Sequence, residues 1–441
     1  MDTISPQAAA KFPLPTADLD SLGFRREQID RLIALISRHI AEGKYPGAQI
    51  ALARRGKLAL FRSFGNATTE PGPRAAAPQA ATDDTLWLLY SNTKVVTAVA
   101  LWALAERGLF SWSDRIADHV PEFRKNAKGN ITVLQTITHQ AGFPNAVVGK
   151  DAWADHKRLR EVVCDFPLEF TPGSKVHYHG LTAHWTLGVL IEAVTGKDFR
   201  DVIRETVTEP LGLGRELYVG LPETEFGRAA DMHEPKPKGD GFEYQPSADA
   251  NTPEWRKGGA PGGAGYGTAR AMAALYQMML AGGELNGTRI VSPRTLQYAI
   301  RNHTGDRIDE FMGMPMHRGL GPHLRGTTEN IRGLGAPPVY VYRRHILPNS
   351  LTPVITFLPF RMSAAILSLT SLDFLGLGVP PGTPSLGELL SQGKGNLDAW
   401  WISLSTFVVL VSTLLLLTFM GEALRDAYDS RKAGLMNGGR S

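Results

Sequence analysis

The chain has 441 residues, 43% hydrophobic and 20% charged, which excludes wholesale disorder and fibrous repeats and allows two to three domains. Lys and Arg number 47 and Asp and Glu 43, a net charge of +4, so no nucleic-acid partner is expected. The single cysteine, Cys164, excludes an internal disulfide and a cysteine-based metal cluster.

Residues 1–24 mix Asp2, Lys11, Asp18 and Asp20 with prolines. They lack the basic start and apolar core of a secretory signal and read as a frayed arm, with the segment behind it in the cytoplasm. Ile29, Leu32, Ile33, Ile36 and Ile40 recur at helical spacing up to Gly43. Two apolar runs, 48–53 and 58–64, flank Arg55-Gly56 and predict a β-hairpin at a sheet edge. Residues 67–84 read as a loop, and Ser91 to Arg107 as a helix with a long apolar face. Residues 109–180 alternate short helices with loops. Helices are expected over 182–194, 268–280 and 293–302, with a surface excursion at 220–262. The order predicts an α+β fold, an antiparallel sheet flanked by helices with an all-α insertion.

Ser91-Asn92-Thr93-Lys94 places a lysine one helical turn after a serine. A buried Lys94 loses proton affinity and can accept the Ser91 proton. The same spacing also describes a capping serine beside a surface lysine. The context is more specific. Residues 87–94 resemble the first box of the class C β-lactamase and esterase group of penicillin-binding-type serine hydrolases. Residues 134–142, 172–180 and 262–270 resemble later stretches of that family in order, over residues 25–335. The resemblance implies that Ser91 is acylated, that Lys94 is its proton partner, and that Tyr178 is a second base acidified by Lys94. It also implies that the Ser91 backbone N–H supplies half an oxyanion hole. Gly180 stands where the motif usually has Asn, which favours ester over lactam substrates. No cofactor or metal is implied. His177, His179 and His184 form a histidine-rich patch, but without a carboxylate or cysteine partner nearby they read as core residues.

The family's third box, Lys/His-Thr/Ser/Gly-Gly on a central strand, has only one match by letters, His303-Thr304-Gly305. It ends a predicted helix, with Gly305 as a cap, and the polar run 306–310 that follows does not alternate like a buried strand. The hydrolase therefore reads as lacking its last strands.

From residue 336 a different text begins. Residues 343–349, 375–381, 384–388 and 421–427 resemble the C-terminal quarter of a peptide-type ABC importer permease of the oligopeptide and microcin branch. Glu329, Gly335, His345, Pro348 and Asn349 keep the spacing of that family's coupling loop, which places the join within 332–336. Ala399 to Gly421 is uncharged, and residues 401–420 are long enough to cross a bilayer, with Trp400 and Trp401 at one end and Arg425, Arg431 and Lys432 beyond the other. Residues 351–372, with Pro353 and Pro359, form a weaker second span.

Three functions remain open at this point. One is a serine hydrolase acting on small esters or lactams. Another is a permease subunit with an inert N-terminal domain, partnered by a nucleotide-binding subunit and a second permease. The third is a non-functional fusion. The expected location is the bacterial inner membrane, with residues 1–335 on the cytoplasmic side.

Overall fold

The computed structural model describes residues 12–69, 77–238, 241–324, 347–380 and 383–428. The chain divides into two compact units, Met1–Gly326 and Thr327–Ser441.

In the first unit, helix α1 (Arg26–Ala41) buries Ile29 and Ile36, as their spacing predicts. Strands β1 (Gly47–Arg54) and β2 (Lys57–Thr68) form the expected hairpin. Its Arg55-Gly56 turn has φ of 54° and 71°, the left-handed pair that matches strand twist. Strand β3 (Gln79–Ala80) joins β2, in the order β1-β2-β3. Then come β4 (Trp87–Leu88), β5 (Leu217–Val219), the hairpin β6 (His233–Lys238) with β7 (Gly241–Pro246), and β8 (Gly265–Gly267). Strands β4, β8 and β5 pair antiparallel in that order.

The helices follow the predicted sequence. Helix α2 (Thr93–Glu106) is buried from Thr93 through Leu104, so it is the central helix of the unit and not one with a single apolar face. Helices α3 (Val133–Ile137), α4 (His156–Asp165) and α5 (Thr182–Thr195) belong to the insertion. Helix α6 (Ala269–Leu280), capped by the Thr268 hydroxyl, packs on β1. Helix α7 (Pro293–Ala299) stops short of the predicted Asn302.

Two expectations change. The N-terminal arm does not fray over its described part. Leu58 N–H donates to Pro15 O, Ala17 N–H donates to Leu58 O, and Leu14 and Leu22 are buried, Leu14 in the core cluster that holds Leu58 and Phe61 of β2. The excursion at 220–262 carries the β6–β7 hairpin. Pro235 and Pro237 are tolerated inside β6 because a two-stranded sheet leaves edge positions unbonded.

The second unit is helical. Helix α8 (Leu347–Phe374) runs through Pro353 and Pro359, followed by α9 (Leu386–Gly395) and α10 (Trp400–Tyr428). Among the described residues one segment, Leu397–Ala423, is long and apolar enough to cross a membrane. Among the described residues, α8 carries the shorter apolar stretch Met362–Phe374, which overlaps the expected second span. Burial is inverted relative to a soluble core: Thr370 and Thr406 are buried, whereas Phe407, Leu416 and Phe419 are exposed. Gly387 lies against the backbone of Thr370 and Phe374, and Gly393 against Ser403, where any side chain would collide. Glu329, Gly335 and His345 lie outside the described residues, as does the expected join. Pro348 and Asn349 fall in the first turn of α8.

Candidate active site

Strand β4 delivers the chain to Ser91. Leu88 pairs with Tyr266 of β8, and Leu89 N–H donates to Gly265 O at 2.8 Å. Tyr90 then turns with φ of 43°, a left-handed conformation that is costly for a non-glycine residue. The kink leaves Ser91 exposed on a 3-10 turn (Tyr90–Asn92) leading into α2. The residue at the α2 N-cap is Asn92, and it makes no side-chain capping bond. Ser91 therefore does not act as the capping serine that the bare spacing allows.

Lys94 follows on the buried circumference of α2 and is 3% exposed. Its Nζ lies 3.2 Å from Ser91 Oγ and donates to Gly180 O at 2.7 Å and to Gly262 O at 2.7 Å. Burial, helped by the charge of Arg318, brings the amine down from 10.5 to about 7. Tyr178 OH lies 2.7 Å from Ser91 Oγ, and Lys94 Nζ lies 5.0 Å from the centre of its ring. The three residues predicted as catalytic, 87 positions apart at their extremes, thus meet at one oxygen.

The loop bearing Tyr178 is tied from three sides. Asn145 accepts from Gly180 N–H at 2.6 Å and donates to Tyr178 O at 3.2 Å. His177 N–H donates to His139 O at 2.9 Å, and Tyr178 N–H donates to Asp309 Oδ1 at 3.0 Å. Asp309 is wholly buried and accepts from Arg318 Nη2 at 2.6 Å, while the Arg318 guanidinium carbon lies 4.9 Å from the Tyr178 ring centre. Asn145, Asp309 and Arg318 were not singled out from sequence. Asp309 sits in a two-residue strand and Arg318 in irregular chain, both too short of pattern to leave a periodic signal, and only folding brings them to Tyr178.

His303-Thr304-Gly305 is a turn and not a strand. His303 N–H donates to Arg318 O, and Thr304 Oγ1 accepts from Arg318 N–H. The reason given from sequence needs correction, since α7 ends before these residues and Gly305 does not cap it. Within Asp306–Glu310 the exception to exposure is Asp309: Ile308–Asp309 pairs with Met314–Pro315, and Asp309 is buried.

The histidines of the patch are not arranged alike. His179 and His184 are buried with His139, while His177 is half-buried between Phe170 and Phe311. Burial drives His139 and His184 well below the usual imidazole range and His179 to about 3. The grouping with metal-ligand spacing among the described residues lies elsewhere, at His156, Glu192 and Asp198. There His156 is bonded to Glu192 on one ring nitrogen, and Arg200 donates to the other at 2.9 Å, so a cation already occupies that corner.

Known proteins resemble the two parts of the chain separately. A β-lactamase family model matches residues 32–340, and a model of the binding-protein-dependent transport system inner membrane component matches residues 326–434. The chain is 31% identical to the esterase/beta-lactamase LipL of Mycobacterium tuberculosis over 271 residues, 54% of this chain and 61% of that protein. It is 54% identical to the peptidoglycan transport system permease protein YejE of Agrobacterium fabrum over 101 residues, 23% of this chain and 26% of that protein. The chain thus spans about a quarter of the permease relative and less than two thirds of the esterase. The crystal structure of a family VIII carboxylesterase superposes with a TM-score of 0.58 at 30% identity, covering 67% of this chain and 81% of that one. A penicillin-binding protein homologue from Caulobacter crescentus gives 0.56 at 27%, covering 66% and 80%. Over most of its length the chain belongs to the β-lactamase family of serine hydrolases, and it carries a fragment of an inner-membrane transport permease at its C-terminal end.

Proposed function

We propose that the first unit hydrolyses small carboxylic esters through an acyl-enzyme on Ser91. The observation that carries this reading is the meeting of Lys94 Nζ and Tyr178 OH at Ser91 Oγ. A neutral lysine amine has two N–H donors and one lone pair. Gly180 O and Gly262 O take the two donors, which leaves the lone pair aimed at Ser91 Oγ. Lys94 then accepts the Ser91 proton as Oγ bonds to the ester carbonyl carbon. The tetrahedral intermediate collapses, the alcohol leaves with a proton passed through Lys94 or Tyr178, and water, deprotonated by the same pair, releases the acid. The Ser91 N–H supplies one oxyanion donor. A second is not identified among the described residues; one such donor is worth about 10²–10³ in rate. Ester substrates are favoured because Gly180 offers no side-chain amide to a lactam.

The test is labelling of the membrane fraction with a fluorophosphonate, alongside hydrolysis of p-nitrophenyl acetate. Label on the wild type and none on Ser91→Ala supports the reading. Equal labelling of the two refutes it.

A second reading rests on the 101-residue permease match. In it, residues 336–441 sit in a bacterial inner membrane with residues 1–335 on the cytoplasmic side, and the chain associates with a nucleotide-binding subunit and a second permease through the loop holding Glu329 and Gly335. Co-purification with such a subunit, lost when Glu329 is changed, supports it. No association in detergent counts against it. Failure of both tests leaves the non-functional fusion.

A further inference from the structure

Arg318 is a buried cation placed beside the reacting groups. It is 5% exposed, and its carboxylate partner Asp309 is fully buried. Its main chain is pinned at both ends: Arg318 N–H donates to Thr304 Oγ1 at 3.0 Å, and Arg318 O accepts from His303 N–H at 2.9 Å. Asp309 takes one guanidinium nitrogen, Nη2, and Nε has no hydrogen-bond partner among the described residues. The guanidinium carbon lies 4.9 Å from the Tyr178 ring centre and Lys94 Nζ lies 5.0 Å from that same point, so the two cations are no more than about 10 Å apart. A guanidinium paired in this way is a fixed, buried charge.

We propose that Arg318, anchored by Asp309, is a positioning residue of the Ser91 centre: its fixed charge, held on Tyr178, keeps Lys94 in the neutral form that accepts the Ser91 proton. This rests on the reading of Ser91 as the nucleophile. The other groups facing Lys94 are Ser91 on the preceding turn, Tyr178 and the Gly180 carbonyl from the second-box loop, and the Gly262 carbonyl before β8. His184 of α5, and His139 after α3 with its neighbour His179, complete the surroundings. The three imidazoles are held neutral by burial through the range in question. Desolvation is the larger influence on Lys94, and Arg318 is the permanent cation felt there, with the paired Asp309 carboxylate opposing it. At no more than about 10 Å and an effective dielectric of about 20, the Arg318 charge taken alone moves the Lys94 titration by about one pH unit.

The experiment uses the full chain in detergent and the rate of fluorophosphonate labelling of Ser91 against pH. The wild-type rate rises through a midpoint near 7. In Arg318→Met the midpoint moves up by about one pH unit, and Arg318→Lys brings it back. A purely structural role lowers the labelled fraction at every pH and leaves the midpoint in place. An unmoved midpoint in folded Arg318→Met overturns the proposal. Should Ser91 prove unreactive, the nucleophile reading fails, and the Lys94 titration is read instead from protein labelled with [ε-13C]lysine. Its resonance, identified by its loss in Lys94→Met, must shift its midpoint between wild type and Arg318→Met. No shift there overturns the proposal as well.

Discussion

Replacing Lys94 by Met is expected to change the pH dependence of stability more than stability itself. In the fold the Lys94 amine titrates at about 7 instead of 10.5. A difference of that size corresponds to about 5 kcal/mol that the folded state forgoes when the side chain is charged. The folded chain binds fewer protons at this site than the unfolded chain between about pH 7 and 10.5, so the penalty is full below pH 7 and fades as pH rises. Methionine removes the penalty but leaves Gly180 O and Gly262 O without their donor, at a cost of about 1–3 kcal/mol each. The absolute change at pH 7 therefore partly cancels. The slope does not: wild type should gain about 1.4 kcal/mol on the variant per pH unit above 7. Near-UV circular dichroism of thermal unfolding, run on both full-length proteins in detergent from pH 6 to 9.5, reads this as a melting-point difference. It should be flat below pH 7 and climb by several degrees by pH 9. A difference that stays level across the whole range would show that Lys94 keeps an ordinary amine in the fold, and the proton-acceptor argument would fall with it.

Tyr178→Phe removes the 2.7 Å contact to Ser91 Oγ and should slow Ser91 acylation by about 10²–10⁴ with the melting point little changed, as measured by labelling kinetics. Trp102, with no exposed surface and its Nε1–H donating to Leu320 O at 2.8 Å, anchors the centre of α2. Trp102→Ala should cost about 3–5 kcal/mol in denaturant unfolding. Gly321, at φ of 110°, lies where a Cβ would overlap the Ala98 side chain on α2. Gly321→Ala should lower the melting point and the Ser91 labelling together, because the collision displaces the helix that carries Lys94.

Local chemistry made much of this protein readable without coordinates. The Arg55-Gly56 pair between two apolar runs offers a glycine free to take positive φ, and the structure has the expected hairpin there. Helix α5 ends at Gly196, and α6 starts at Thr268, where glycine and threonine stop and start helices by backbone geometry and hydroxyl bonding. The uncharged run after Ala399 predicts a helix long enough to cross a bilayer, and α10 has that length and composition. Prolines were the weaker guide, since β6 holds two of them and α8 passes through two more. Their cost depends on which backbone donors a partner would have needed, and that is a tertiary matter.

The chemistry of the first unit divides in the same way. Ser91 and Lys94 are one turn apart on a single helix, so the residue order alone put them side by side. Joining Tyr178 to them took the β4–β8 pairing, the Asn145 brace and the buried Asp309, contacts between segments tens to hundreds of positions apart. Spacing carries no record of such contacts, because they arise from chain closure and exclusion of water and not from any local preference. Whether Lys94 is a surface cation or a neutral acceptor turns on burial and on a guanidinium from the far end of the unit, and only the folded arrangement brings those together.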